Sequence, residues 1–300
     1  MKAEELLSAD WIARLDRLTL STARRVRGTT QGRRRSRELG ASLEFADYRE
    51  YSPGDDVRRF DWSVYGRTGR KVVRQYLDEQ ELQVTLYLDC SRSMDFADEQ
   101  GPSKLLHAAR LAASVGYMTL AAYDRLGVYR VDDRIHEGLP LLRGRPAVHR
   151  MLEFLAASEV GGRGNLAEAF NERSRLPRLP GMAWIFSDCW TETGEQELEE
   201  VMARLQAARQ EVVLVQVLTR GEIQPKLTGD LKLIDAELGT AKEAALTGPL
   251  VEAYEREFAA YRGRLAEFCS RRGIAYLLAP TDIPPRELVL GSMREAGLVR

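Results

Sequence analysis

From residue 81 onward, short β-rich apolar runs alternate with longer stretches of helical spacing, and nothing else in the chain restricts its fold so strongly. QVTLYL (83–88), Leu126–Val131, Met182–Phe186, EVVLVQVL (211–218) and Ile274–Leu278 read as strands. Lys104–Tyr123, Ala147–Ala157, Leu166–Arg175, Glu195–Arg209, Glu252–Arg272 and Pro284–Glu295 read as helices. The alternation predicts βαβ units and therefore an α/β fold: a doubly wound, mostly parallel sheet with helices on both faces. Residues 220–250 fit the alternation less well. Leu231–Asp235 and Ala244–Leu250 suggest a small hairpin insertion there.

The first 80 residues read differently, so the chain is expected to divide into a segment 1–80 and a domain 81–300. Leu7, Trp11, Leu15 and Leu18 are spaced for an amphipathic helix over Leu6–Leu20. Arg24, Arg25, Arg27, Arg33, Arg34, Arg35 and Arg37 follow without an acidic residue, and Gly28 and Gly32 make this run a basic loop. Ser52-Pro53-Gly54-Asp55-Asp56 is a turn signal.

Charge and composition narrow the function classes. With 44 Lys+Arg against 45 Asp+Glu, the net charge of −1 excludes a globally basic nucleic-acid binder. The longest uncharged apolar stretch, Leu111–Tyr123, is shorter than the ~20 residues a bilayer helix needs. The N-terminus carries Glu4, Glu5 and Asp10 and no apolar core, so no signal peptide is read and the cytoplasm is the expected compartment. The three cysteines lack CxxC spacing, which argues against a disulfide framework or a zinc ribbon.

Two strands end in aspartate. QVTLYL runs into Asp89-Cys90-Ser91-Arg92-Ser93, and AWIFS runs into Asp188. Ligands of doubly wound sheets sit beyond the carboxyl ends of the strands. If the two strands are neighbours, Asp89, Ser91, Ser93 and Asp188 converge on one crevice, and such a set of hard oxygens suits Mg²⁺. Cys90 and Cys189 each follow one of these aspartates, which raises a redox pair as a minor reading. His107, His136 and His149 have no partner at ligand or triad spacing and read as structural.

Asp89-x-Ser91-x-Ser93 after an apolar strand resembles the metal-ion-dependent adhesion site of von Willebrand factor A domains. The resemblance implies that Asp89, Ser91, Ser93 and Asp188 hold the metal while a partner's carboxylate takes the open position. It departs at Gly161-Gly162-Arg163-Gly164-Asn165-Leu166, where Gly164 stands in place of the family's threonine. Without a metal, Arg163 is expected to receive the partner's carboxylate, with Asn165 beside it.

A longer resemblance lies upstream. Leu43-Glu44-Phe45-Ala46-Asp47-Tyr48-Arg49-Glu50-Tyr51-Ser52-Pro53-Gly54-Asp55-Asp56-Val57-Arg58-Arg59-Phe60-Asp61-Trp62 resembles the signature of the bacterial domain of unknown function 58, EF-x-x-x-R-x-Y-x-x-GDD-x-R-x-x-DW. That family pairs the signature with a von Willebrand A-like domain and commonly sits beside AAA+ ATPases of the MoxR type. The resemblance implies a non-catalytic adaptor or co-chaperone that helps such an ATPase act on a client protein. Asp55, Asp56, Arg58, Asp61 and Trp62 are expected to be structural, an ion-pair and stacking cluster that docks the N-terminal segment onto the sheet.

Two other readings stay open. The arginine run makes a nucleic-acid-binding protein the runner-up. A metal-dependent phosphotransfer enzyme or hydrolase centred on Asp89 and Asp188 is the third. GxSxG, GxxxxGK[ST] and HExxH are all absent from the sequence.

Overall fold

The computed structural model describes residues 1–22, 31–99, 101–162, 164–172, 176–190, 194–225, 229–234, 241–246 and 248–300. The chain forms two compact units, Met1–Arg24 with Gln83–Arg300, and Arg25–Leu82. The sequence reading kept residues 1–80 together. Instead the first helix belongs to the large unit.

In chain order the strands are β1 Gln31–Glu50, β2 Val72–Gln80, β3 Gln83–Asp89, β4 Arg125–Val131, β5 Leu139–Arg143, β6 Gly181–Ser187, β7 Gln210–Leu218, β8 Gly229–Ile234, β9 Ala241–Leu246 and β10 Ala275–Pro280. The helices are α1 Ala9–Leu15, α2 Trp62–Thr68, α3 Lys104–Ala121, α4 Val148–Ala156, α5 Leu166–Ala169, α6 Glu195–Ala207, α7 Arg220–Ile223, α8 Gly248–Arg272, α9 Pro285–Leu290 and α10 Ser292–Glu295.

The large unit is a mixed α/β structure. Its six strands lie in the order β10-β7-β6-β3-β4-β5, all parallel except β5, which runs antiparallel to β4 at one edge. Every residue of β3 and β6 is buried, as expected of strands covered on both faces. Successive side chains then point to opposite faces. Tyr87, Ile185 and Leu214 pack with Leu198 and Met202 of α6 and Leu265 and Phe268 of α8. On the other face, α3 approaches the sheet closely at Gly116. A methyl group there would run into the Met151 sulfur and crowd Leu126 and Leu86.

The N-terminus is stitched to this unit by polar contacts. Trp11 Nε1 donates to Ser114 Oγ at 3.0 Å, and Tyr117 OH donates to Asp16 Oδ1 at 2.6 Å. Leu20 bridges Val299 in antiparallel fashion. Buried Trp11, Leu15 and Leu20 account for the apolar spacing read in Leu6–Leu20, although α1 is only seven residues long. The expected insertion is the antiparallel pair β8–β9.

The small unit corrects the reading of the arginine run. Arg33, Arg34, Arg35 and Arg37 lie on β1, a strand paired antiparallel with β2, rather than in a loop. Arg24, Arg25 and Arg27 fall outside the described residues. The partner strand begins with two valines and supplies the backbone partners that a run of arginines cannot predict by itself. Four register shifts absorb the irregularity, one of them between Gln31 and Arg34 beside Gly32.

Candidate functional site

The strand order reverses at β3. Its chain successor β4 lies on one side and β6 on the other, so the carboxyl ends of β3 and β6 border the switch-point crevice. Asp89 closes β3, and Ser187 and Asp188 close β6. Ser187 Oγ donates to Asp89 Oδ2 at 2.5 Å, so the two strand ends are joined directly. Ser91 N donates to Asp89 Oδ1 at 2.9 Å, and the Ser91 and Ser93 hydroxyls lie 3.1 Å apart. The four residues singled out in the sequence therefore share one rim.

That rim carries a cation of its own. Lys104 Nζ donates to Asp188 Oδ2 at 2.7 Å and to Glu222 Oε1 at 2.6 Å. Lys104 and Asp188 are each 1% exposed, and Glu222 is 17% exposed. Burial alone would lower the lysine's pKa, but the Asp188 and Glu222 carboxylates outweigh it and hold the ammonium above its usual value. Glu222 is fixed in turn by a capping box on α7: Thr219 N donates to its Oε2 at 2.8 Å, and Glu222 N donates to Thr219 Oγ1 at 3.2 Å.

Asp188 is aimed by a strained backbone. Cys189 follows it with φ +62°, a left-handed conformation uncommon outside glycine. Three bonds impose it: Cys189 N donates to Ser187 Oγ at 3.0 Å, Tyr261 OH to Cys189 O at 2.5 Å, and Gln216 Nε2 to Asp188 O at 3.0 Å. Burial, and then the charge of Asp188, push the Asp89 carboxyl up to about 6.

Mg²⁺ needs six oxygen ligands in near-octahedral array. Both oxygens of Asp89 already accept bonds, from Ser91 N and Ser187 Oγ. Both oxygens of Asp188 do so as well, from Trp190 N at 3.1 Å and from the Lys104 ammonium. The arrangement does not fit a divalent cation: each of these four oxygens already accepts a hydrogen bond, and a positive charge stands among them. Among the described residues, no group of three or more His, Cys, Asp or Glu side chains is placed to hold a metal.

The remaining expectations fare unevenly. Asn165 caps α5, its Oδ1 accepting from Glu168 N at 2.9 Å, and so has a local role. Arg163 lies outside the described residues. Cys90 and Cys189 are buried; burial pushes the Cys90 thiol up to about 12 and the Cys189 thiol well above its ordinary value. Enclosed thiols of this kind are not thiolates, which removes the redox pair. His136 Nε2 lies 2.7 Å from Asp132 Oδ2, and exposed His149 lies 3.1 Å from Glu153.

Sequence reasoning missed Lys104, Ser187 and Glu222. A signal for Lys104 existed. It is the first residue of an 18-residue helix after the Ser103 cap, where the helix dipole disfavours a cation, so a lysine there needs carboxylate partners. Thr219-x-x-Glu222 was legible as a capping box.

The small unit places the signature residues in two roles. Asp61 caps α2, accepting from Ser63 N at 2.9 Å and Val64 N at 3.0 Å, and pairs with Arg74 Nε at 2.7 Å. The Arg74 bond, then the capping N–H groups, hold its carboxyl well below the usual range. Its ion-pair partner is Arg74, not the expected Arg58. Asp55 accepts from Ser52 N at 2.8 Å and Arg49 at 2.6 Å, and Asp56 from Arg58 N at 3.0 Å. Trp62, by contrast, is 66% exposed. Its ring centroid lies 4.6 Å from Phe60 and 6.4 Å from Tyr65, with interplanar angles of 57° and 86°. Val57, Arg58, Arg59, Tyr65, Arg67 and Lys71 are exposed as well.

Residues 47–263 match the family model described as "Protein of unknown function DUF58". Uncharacterized proteins of Mycobacterium tuberculosis and Mycobacterium bovis are 32% identical to the chain over 273 residues, covering 90% of this chain and 84% of theirs. Among solved structures, the conserved hypothetical protein BatB of Bacteroides thetaiotaomicron is similar at a TM-score of 0.44 and 19% identity, over 72% of this chain and 99% of that one. An aerotolerance-related membrane protein of Bacteroides fragilis is similar at 0.42 and 17% identity, over 67% and 92%. In the chain itself, no helix among the described residues is long and apolar enough to cross a membrane. With a match that runs from the signature's turn through five of the six strands of the large sheet, and relatives alike over nine-tenths of its length, the chain belongs to the DUF58 family.

Proposed function

We propose that this protein is a non-catalytic interaction module, an adaptor whose large unit is von Willebrand factor A-like and whose small unit presents the docking face. One observation carries this reading: Trp62 stands 66% exposed on an aromatic cluster with Phe60 and Tyr65, in a segment that also carries exposed Arg58, Arg59, Arg67 and Lys71. Tryptophan, tyrosine and arginine are the residue types that dominate binding hot spots. At that exposure most of the tryptophan's apolar surface stays open to a partner, while the rest lies against Phe60 and Tyr65. Residues 57–71 carry five cations against the single carboxylate of Asp61, which is already paired with Arg74. The partner is therefore a protein with an acidic face, and the family resemblance makes a MoxR-type AAA+ ATPase the first one to test.

The strand order supports the von Willebrand A-like part of the reading, with the parallel sheet reversing at the first strand and a single antiparallel edge strand. The nucleic-acid alternative is weaker. The chain's net charge of −1 does not supply the broad basic surface that tracks a phosphate backbone.

Tagged full-length chain purified from its own cells tests the proposal. The native chain is expected to retain an AAA+ ATPase, and Trp62→Ala with Arg58→Glu is expected to lose it while keeping the native circular dichroism. Retention by the folded double variant, or recovery of salt-sensitive nucleic acid in place of the ATPase, would overturn it.

A further inference from the structure

We infer that the Lys104 ammonium is the resident cation of the switch-point rim, so that the crevice is built to stand without a divalent metal and becomes a metal site only when that lysine is removed. The inference is independent of the docking face on the small unit.

Three carboxylates face the rim, those of Asp89, Asp188 and Glu222. Asp89 answers to hydroxyl and backbone donors, whereas Asp188 and Glu222 both answer to Lys104. Lysine is an improbable residue at that spot on three counts. It is 1% exposed, and ammonium groups are among the most costly to bury. It opens α3, at the end of the helix dipole that repels cations. Its tip has to reach two acids that follow separate strands. Among the described residues, the two carboxylates, with the Phe96 ring 5.9 Å from the ammonium, offset these costs. Asp188 follows β6 and Glu222 lies on α7 after β7, whereas Lys104 opens the helix that follows β3. The ammonium thus ties three consecutive strand-end loops together, as a shared metal would, with hydrogen bonds in place of coordination.

The geometry also says what the lysine excludes. Asp188 Oδ2 and Glu222 Oε1 lie 2.7 and 2.6 Å from the same nitrogen. Cutting the side chain back to Cβ leaves two anionic oxygens facing one vacated point, at a distance that a modest movement brings to that of a Ca²⁺ or Mn²⁺ ligand. Water can complete such a shell. In the native chain the point is filled, and a divalent ion would have to expel a charge-paired ammonium to enter.

Mn²⁺ titration of the full-length chain, read by the electron paramagnetic resonance of free Mn²⁺, tests this. The native chain is expected to show no saturable site and no change of melting temperature with MnCl₂ or EDTA. Lys104→Ala is expected to bind one Mn²⁺ at least about tenfold more tightly than the native chain and to melt higher in its presence. Adding Asp188→Asn or Glu222→Gln to Lys104→Ala should abolish both effects. A saturable site in the native chain that Asp188→Asn removes would overturn the inference. So would a folded Lys104→Ala protein that binds Mn²⁺ no better than the native chain. If Lys104→Ala does not fold, the native titration decides alone: one bound Mn²⁺ at the rim refutes the inference, and none supports it.

Discussion

Lys104 Nζ lies 2.7 Å from Asp188 Oδ2, and both side chains are 1% exposed, so the first residue of α3 and the residue just beyond β6 share a sealed ion pair. Glu222 completes a triad at 2.6 Å. Breaking such a pair leaves one charge buried without compensation. Lys104→Ala should cost about 3–5 kcal/mol in urea denaturation, and Asp188→Asn a comparable amount. The Lys104→Met, Asp188→Asn double variant removes both charges and should recover a large part of that loss. Additive losses in the double variant would show that the two side chains do not interact.

Asp89 and His107 make opposite pH signatures. Burial, then Asp188, raise Asp89 to about 6, above its unfolded value of about 3.8. Its contribution is full below the unfolded value and is lost as pH rises through 6. Burial lowers His107 to about 4, and its ring nitrogens have no hydrogen-bond partner. Its contribution is full above about 6.5 and is lost as pH falls toward 4. Each is worth up to about 3 kcal/mol by linkage, so the two largely cancel in the native chain between pH 4 and 6.5. Asp89→Asn should therefore expose a stability that rises with pH across that window, and His107→Leu one that falls. Urea midpoints at pH 4.5, 5.5 and 7 read both slopes, and equal slopes in the two variants would refute the assignment.

Asp61 and Trp62 are chain neighbours with different tasks. Asp61 caps α2 and binds Arg74, so Asp61→Ala should loosen the small unit and raise amide hydrogen exchange at Ser63, Val64 and Tyr65. Trp62→Ala removes an exposed ring and should leave those amides unchanged. Matching exchange in the two variants would mean that Trp62 is a packing residue.

All three cysteines are free and buried, and burial raises their thiols. No thiol should react with an aromatic disulfide reagent under native conditions, and all three should react in denaturant. Fast native labelling of Cys90 or Cys189 would show that the rim opens.

The sheet was legible because its strands are continuous apolar runs, and a strand buried on both faces writes itself as EVVLVQVL or QVTLYL. The edge strand Leu139–Arg143 was not, since a five-residue run with a proline carries little β signal. β1 was misread for a related reason: Arg34 and Arg35 pair with Gln80 and Glu79, 46 and 44 residues on, and nothing local in an arginine run announces a partner. At the rim, Asp89 and Asp188 could be placed together because each ends a strand. Their charge partner was missed, because Lys104 at a helix start passes for a surface lysine unless the adverse helix dipole is weighed. The positions of Asp188 and Glu222, brought beside it by β6 and β7, make it an interior cation. The signature motif was read as wholly structural. Its aspartates do hold the turn and cap, yet exposure separates Trp62 and Arg58 from Asp55 and Asp61.

The most direct test of the account is the affinity of purified MoxR-type ATPase for the full-length chain by calorimetry, across native, Trp62→Ala/Arg58→Glu and Asp188→Asn proteins. The account predicts binding to the native chain that the surface double variant weakens at least about tenfold. It predicts near-native affinity for any Asp188→Asn protein that remains folded, without dependence on Mg²⁺. Affinity that survives the double variant but vanishes with EDTA or Asp188→Asn would contradict it and return the partner to the crevice.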